Sequence, residues 1–333
     1  MMPKPLNTSL AQKLAAFEDR RMTYIAAFPC QGGYVCCADT LETVGDEKQY
    51  VEKLAAYGDG DYPFCIGGAG TGEIIDALTQ EISERVLQSR PQGCVKLKDT
   101  IRSAVKDVYD NDVPVMVLKR QQRTAQLLIA VNSCPSDSVF CLFRVDGRRI
   151  FTVARGIIGY STATNQALLK RFHDPEMPMS QAVVLAVYLV SQSKLTDEGV
   201  GGDTRIGVVS QFSAKIEDAE YVRSIEKLIV GYLPIADDLF RSLSDVEIPN
   251  DEFECRLQIL NKMLRLQRRS AVLNSLEYVQ FLVDQGKLNQ TNWPYSKIPL
   301  GTTFRLSKDE SGRMVVSEVG ATPSDSQTSE DQP

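Results

Sequence analysis

Histidine is almost missing from this chain: His173 is the only one in 333 residues. A Ser-His-Asp or Cys-His mechanism would therefore depend on that one side chain. It sits in the loop-like stretch Arg171-Phe-His-Asp-Pro-Glu176, which argues against such a role. No C-x-x-C pair occurs among Cys30, Cys36, Cys37, Cys65, Cys94, Cys134, Cys141 and Cys255. A zinc site wants four nitrogen or sulfur ligands at tight spacing, so no metal and no cofactor are expected. Adjacent Cys36 and Cys37 would point to opposite faces of a strand. All eight read as buried thiols of a reducing compartment.

Long apolar runs are missing too, since none approaches the roughly 20 residues that span a bilayer. The lead segment Met1–Arg21 lacks the apolar centre of a signal peptide. A cytoplasmic location with no membrane partner is the expectation. A basic excess is also absent: the net charge is −6, which argues against a nucleic-acid partner. Arg265, Arg268 and Arg269 are a local exception that reads as a solvated helix face. Composition is otherwise that of a soluble globular chain, long enough for one large domain or two modest ones.

Thr23–Phe28 and Gly33–Ala38 read as strands joined through the turn-forming Pro29-Cys-Gln-Gly-Gly33. Val51–Tyr57 and Tyr62–Ile66 form a second pair around Gly58-Asp-Gly-Asp61. Gly67-Gly-Ala-Gly-Thr-Gly72 opens a helix over Glu73–Leu87, with Ile74, Ile75, Leu78, Ile82 and Val86 at helical spacing. A helix over Leu97–Tyr109 follows, then strands at Ala125–Val131, Val139–Val145 and Ile150–Ala154, the last two turning on Asp146-Gly147. Thr162–Phe172 and Ser180–Ser193 are helical, the second apolar on most sides, and Arg205–Phe212 is a strand. Segregated runs of strands and helices argue for α+β layers against an alternating parallel sheet. From Ile216 to about Gln285 the pattern is mainly helical, including Phe253–Leu264 and Val272–Val283. A hairpin of Thr303–Leu306 with Met314–Val316 closes it, and the polar tail Ala321–Pro333 has a disordered composition.

Three separated blocks carry a family resemblance. The first is Thr23-Tyr-Ile-Ala-Ala-Phe28 with Gly33-Tyr-Val-Cys-Cys-Ala-Asp39-Thr40, sixteen positions separating Thr23 from Asp39. The second is Lys53-Leu54 followed by Tyr62-Pro-Phe-Cys-Ile-Gly-Gly-Ala-Gly-Thr-Gly72, and the third is Asp197-Glu-Gly-Val-Gly-Gly202 before Arg205-Ile-Gly-Val-Val209. Together they resemble the proteasome-type N-terminal-nucleophile hydrolases, that is, proteasome β subunits and bacterial proteasome-like peptidases. The likeness spans about residues 22–212. It implies a four-layered αββα sandwich over residues 23–215, preceded by an extension or propeptide over 1–22. A mainly helical extension over 216–318, ending in the hairpin, and a disordered tail over 319–333 would follow.

The resemblance also implies a chemistry. Thr23 would be the nucleophile, its own free α-amine the base. Lys53 would be the neighbouring cation and Asp39 its holder, with Lys48 a weaker candidate for the lysine. Asp197 would orient the amine, and an amide of Gly68 or Ala69 would donate to the oxyanion. Val200 stands where the family has serine. The expected activity is threonine-type hydrolysis of peptide or other amide bonds. A ring or other homo-oligomer, a peptide or protein substrate and an ATP-dependent unfoldase are the implied partners. A free Thr23 amine requires removal of residues 1–22, either autocatalytically or because translation begins at Met22. The alternative is a non-catalytic structural subunit that keeps the extension. A second use of Gly68-x-Gly70, dinucleotide binding, is disfavoured because Glu73 stands at the third glycine position and antiparallel hairpins precede it.

Overall fold

The computed structural model describes residues 23–44, 47–58, 62–118, 124–133, 139–159, 163–244, 249–265, 303–308 and 314–319. The chain divides into two compact units, Met1–Asn274 and Ser275–Pro333. Within the first, two five-stranded antiparallel sheets carry the fold. One runs in the order β10-β1-β2-β11-β12, built from β1 (Tyr24–Cys30), β2 (Gly33–Asp39), β10 (Gly156–Gly159), β11 (Thr204–Val209) and β12 (Ala214–Ile216). The other runs β5-β6-β7-β8-β9, from β5 (Leu54–Tyr57), β6 (Phe64–Gly70), β7 (Ala125–Asn132), β8 (Phe140–Asp146) and β9 (Arg149–Thr152). A small hairpin, β3 (Leu41–Val44) with β4 (Glu47–Tyr50), lies between β2 and β5 in sequence. The helices are α1 (Gly72–Ser89), α2 (Cys94–Asp107), α3 (Ala163–Phe172), α4 (Met179–Thr196), α5 (Ala219–Ser244) and α6 over 250–265. The second unit shows one antiparallel hairpin, β13 (Thr303–Lys308) with β14 (Met314–Val319). The class is α+β.

Strands β1 and β2 are apolar on both faces because successive side chains point to opposite sides of a sheet that is covered on each. Tyr24, Ala26 and Phe28 join one buried cluster with Val183, Ala186, Val187 and Val190 of α4. Ile25 and Ala27 point the other way, into a cluster with Leu54, Cys65, Leu128 and Leu142 of the second sheet. In that second sheet Leu127, Ile129 and Val131 turn to a third cluster with Ile74, Leu78 and Ile82 of α1 and Leu97 and Ile101 of α2. Cys36 and Cys37 fall into different clusters, as neighbours on a strand must. Helix α4 buries Ala182, Leu185, Ala186, Leu189 and Val190 over a wide arc, which matches its nearly continuous apolar sequence. Val222, Ile225 and Ile229 of α5 belong to the same cluster as β1 and β2. That helix is therefore part of the main core although it follows residue 215.

Several elements differ from the expectation. The β3–β4 hairpin, β10 and β12 are short, and β3–β4 is polar on much of its length, so no apolar alternation announces them. The cysteines require a correction. Cys94, the first residue of α2, is disulfide-bonded to Cys141 of β8, so the chain is not uniformly a set of free thiols. The two lie 47 residues apart in sequence, and only the packing of α2 on β8 brings them together. Cys30, Cys36, Cys37 and Cys65 are free and buried, Cys255 is free and exposed, and Cys134 lies outside the described residues. Burial pushes the Cys30 thiol up to about 11 and the Cys37 thiol to about 12, so neither supplies a thiolate near neutral pH. Among the described residues no helix is long and apolar enough to cross a membrane. The expected Val272–Val283 helix, the 1–22 extension and the 321–333 tail all lie outside the described residues, as do Arg268 and Arg269.

Candidate active site

The β1–β2 register pairs Ile25 with Ala38 and brings Asp39 level with the start of β1. There the Tyr24 backbone N–H donates to Asp39 Oδ1 at 3.0 Å. Thr23 immediately precedes that amide and is buried. Lys53, one residue before β5, donates from Nζ to the same Asp39 Oδ1 at 2.9 Å and also to the Leu41 carbonyl. The Gly201 N–H donates to Asp39 Oδ2 at 3.2 Å. Asp39 therefore accepts three bonds at full burial, and its salt bridge to Lys53 is all but dry. Lys48, by contrast, sits exposed on β4.

Burial acts against both charges of this pair. It raises the Asp39 carboxyl above its ordinary value, opposed by the Lys53 ammonium and by the amides of Tyr24 and Gly201. It lowers Lys53, opposed chiefly by Asp39. A lysine held in this way gives up its proton more readily than an exposed one, which suits it to proton handling at a nucleophile.

The turn after α4 is tied to the same place. Asp197 Oδ1 accepts from the Gly199 N–H at 2.9 Å, whereas Oδ2 is buried without a hydrogen-bond partner. An orphaned buried carboxylate oxygen is costly, and such atoms mark places where a donor is expected to arrive. The Gly201 carbonyl accepts from the Thr40 and Leu41 amides, and the Asp203 amide donates to Thr40 Oγ1 at 2.8 Å. Val200 is buried in the apolar cluster beneath α4, which accounts for an aliphatic side chain there.

Of the two oxyanion candidates, Gly68 donates its N–H to the Lys53 carbonyl at 3.1 Å, so that amide is already committed. Ala69 faces Gln126 of β7 in register. Residues alternate in the direction of their N–H along a strand, so Gly70 points like Gly68 toward the β5 side, beyond the start of β5. Gly70 has φ +119°, a conformation open to glycine. Sequence reading also missed Gly159. It pairs with Tyr24, has φ +77°, and a Cβ there would fall 2.0 Å from the Thr23 carbonyl oxygen and 3.3 Å from Ala69 Cβ. Only a glycine lets β10 close over Thr23, and the glycines that bracket Gly156-Ile-Ile-Gly159 were the available signal.

His173 is elsewhere. Its Nε2 bonds the Pro29 carbonyl at 2.9 Å, near the far end of β1 from Thr23, and its Nδ1 faces the Arg155 guanidinium at 3.2 Å. The glycine turn after β6 does not sit in a parallel βαβ unit, since β6 pairs antiparallel with both β5 and β7, which removes the dinucleotide reading.

No family model matches this chain, and no curated protein matches it. Solved structures do. Anbu from Hyphomicrobium sp. strain MC1 is 18% identical with a TM-score of 0.52, over 68% of this chain and 100% of that one. Anbu (ancestral beta-subunit) from Yersinia bercovieri is 16% identical with a TM-score of 0.54, over 68% and 98%. A helical assembly of the Anbu complex from Pseudomonas aeruginosa is 15% identical with a TM-score of 0.50, again over 68% and 98%. At these identities the likeness is one of fold. It corrects the resemblance read from the sequence, because these structures are Anbu proteins, one of them described as an ancestral beta-subunit, and do not single out the proteasome β subunits or the simpler bacterial peptidases. The short blocks Ala-Asp-Thr and Gly-Gly-Ala-Gly serve a strand end and a strand-to-helix turn. Those needs belong to the fold and do not separate its branches.

Proposed function

We propose that this protein is a threonine-type hydrolase of peptide or other amide bonds, with Thr23 as N-terminal nucleophile once residues 1–22 are removed. One observation carries the reading. The buried Asp39 carboxylate holds Lys53 and, through the same oxygen, the amide that follows Thr23. Two of the three Lys53 N–H donors go to Asp39 and Leu41, leaving one for the Thr23 hydroxyl. The cation lowers the proton affinity of that hydroxyl. The freed α-amine takes its proton as Oγ attacks the amide carbon and passes it to the departing nitrogen as the C–N bond breaks, and water then hydrolyses the Thr23 ester. Asp197 Oδ2 is the acceptor that would orient the amine, and the Gly70 amide, on the opposite side of β6 from the Ala69 amide, is the donor for the oxyanion. We read the three apolar clusters as the seams of a four-layered αββα sandwich. Domain limits at 1–22, 23–215, 216–318 and 319–333 remain part of this proposal, with α5 packed into the main core. Self-association, cytoplasmic location and an unfoldase partner belong to it as well; the Pseudomonas aeruginosa Anbu assembly is helical.

One observation favours a second reading, a non-catalytic subunit that keeps its extension: Val200, buried in the apolar cluster, brings no hydroxyl to the turn between Asp197 and Gly201. The mass of the native N-terminus decides between them. A chain beginning at Thr23, labelled by a threonine-reactive electrophile and unlabelled as Thr23→Ala, is the expected result. An intact Met1 on every molecule would overturn the hydrolase.

A further inference from the structure

The turn that supplies Gly201 and Asp197 is held from outside the sequence blocks that carry the resemblance. Glu226 lies on α5, two turns from its start. Its Oε1 accepts from Lys194 Nζ at 2.7 Å, in the last turn of α4 just before the turn begins. It also accepts from Thr204 Oγ1 at 3.1 Å, the first residue of β11, where the turn ends. Lys194 Nζ completes the triangle by donating to Thr204 Oγ1 at 2.9 Å, and Ser191 Oγ reaches the same carboxylate at 3.5 Å. Thr204 is itself paired across the sheet with Asp39. One turn earlier on α5, Arg223 donates to Asp203 Oδ2 at 3.3 Å.

We infer that Glu226 is a positioning residue that closes the 197–203 turn at both ends. It thereby sets the Gly201 amide on Asp39 and the Asp197 carboxylate beside the site; the catalytic consequence rests on the hydrolase reading above. A single carboxylate oxygen bonded to both ends of a turn leaves its backbone little freedom to drift. The Lys194–Glu226 pair is about four-fifths shielded from solvent, so it is screened less than a surface pair. The Gly201 N–H is one of the contacts that oppose the burial-driven rise of Asp39. Loosening the turn therefore raises Asp39 further and weakens its hold on Lys53. In this account α5 is a working part of the site, although nothing in its own sequence carries a catalytic motif.

The test uses the full chain as Glu226→Ala and Glu226→Gln, with Lys227→Ala as the exposed control on the same helix. Hydrogen exchange at the Gly199, Val200 and Gly201 amides should speed up roughly tenfold or more in Glu226→Ala, less in Glu226→Gln, and not in Lys227→Ala. In the active protein, kcat should fall about tenfold to a hundredfold while KM stays within about twofold. The acid limb of its pH profile should move to higher pH. Unchanged exchange at those three amides would overturn the inference, as would an equal rise along all of α5 and β11. Because exchange is read without turnover, an inactive wild-type chain would refute the hydrolase, while the exchange rates would still decide whether Glu226 closes the 197–203 turn.

Discussion

Replacing Lys53 with methionine keeps most of the side chain's bulk and removes its charge. The Asp39 carboxylate is then left fully buried, with the Tyr24 and Gly201 amides but no cation. Breaking a buried pair from one side costs about 3–5 kcal/mol. For a domain of this size each kcal/mol moves the melting temperature by roughly 2–4 °C, so a drop of about 6–20 °C is expected near neutral pH. The sign of the pH dependence follows from Asp39. Its folded-state pKa is raised by burial, and Lys53 is the chief group opposing that rise. Without Lys53 it climbs further, so the folded variant favours the protonated carboxyl more strongly. A group raised in this way favours folding below its unfolded value, and that contribution is lost as pH climbs through the folded value. The deficit of Lys53→Met against wild type should therefore be large at about pH 8 and shrink at about pH 5. Thermal melts by circular dichroism at both pH values measure it. Adding Asp39→Asn should recover part of the loss by removing the stranded charge. An equal deficit at the two pH values, or none at either, would refute the electrostatic argument.

Three further outcomes are expected. Cys94→Ser opens a crosslink between residues 47 apart and should cost about 2–4 kcal/mol, read as a lower melting temperature that added reductant no longer changes. Gly159→Ala puts a Cβ against the Thr23 carbonyl at positive φ. It should destabilise by at least about 1–3 kcal/mol in denaturant melts and abolish any Thr23 labelling, whereas a neutral effect would contradict the placement of β10. Val187→Asp places a carboxylate in the apolar cluster under α4 and should prevent soluble folding, seen as loss of the cooperative melt.

The amino-acid order alone determined most of the element list, because periodicity is a local property. The continuous apolar runs of β1 and β2, the helical spacing from Ile74 to Val86 and the dense apolar run of α4 each state their own burial. It also carried the short blocks whose resemblance implied that Thr23, Asp39 and Lys53 belong to one site. What it could not contain is anything set by contacts distant along the chain. The Cys94–Cys141 bond needs α2 laid on β8, and the commitment of the Gly68 amide to Lys53 needs the register of β5 with β6. The closure of β10 over Thr23 and the reach of Glu226 from α5 to both ends of the 197–203 turn are of the same kind. The resemblance already ranked Lys53 above Lys48, but the physical difference between the two is tertiary. Both precede β5 by a few residues, and only the packing of the sheets buries one of them against Asp39 while the β3–β4 hairpin carries the other into solvent.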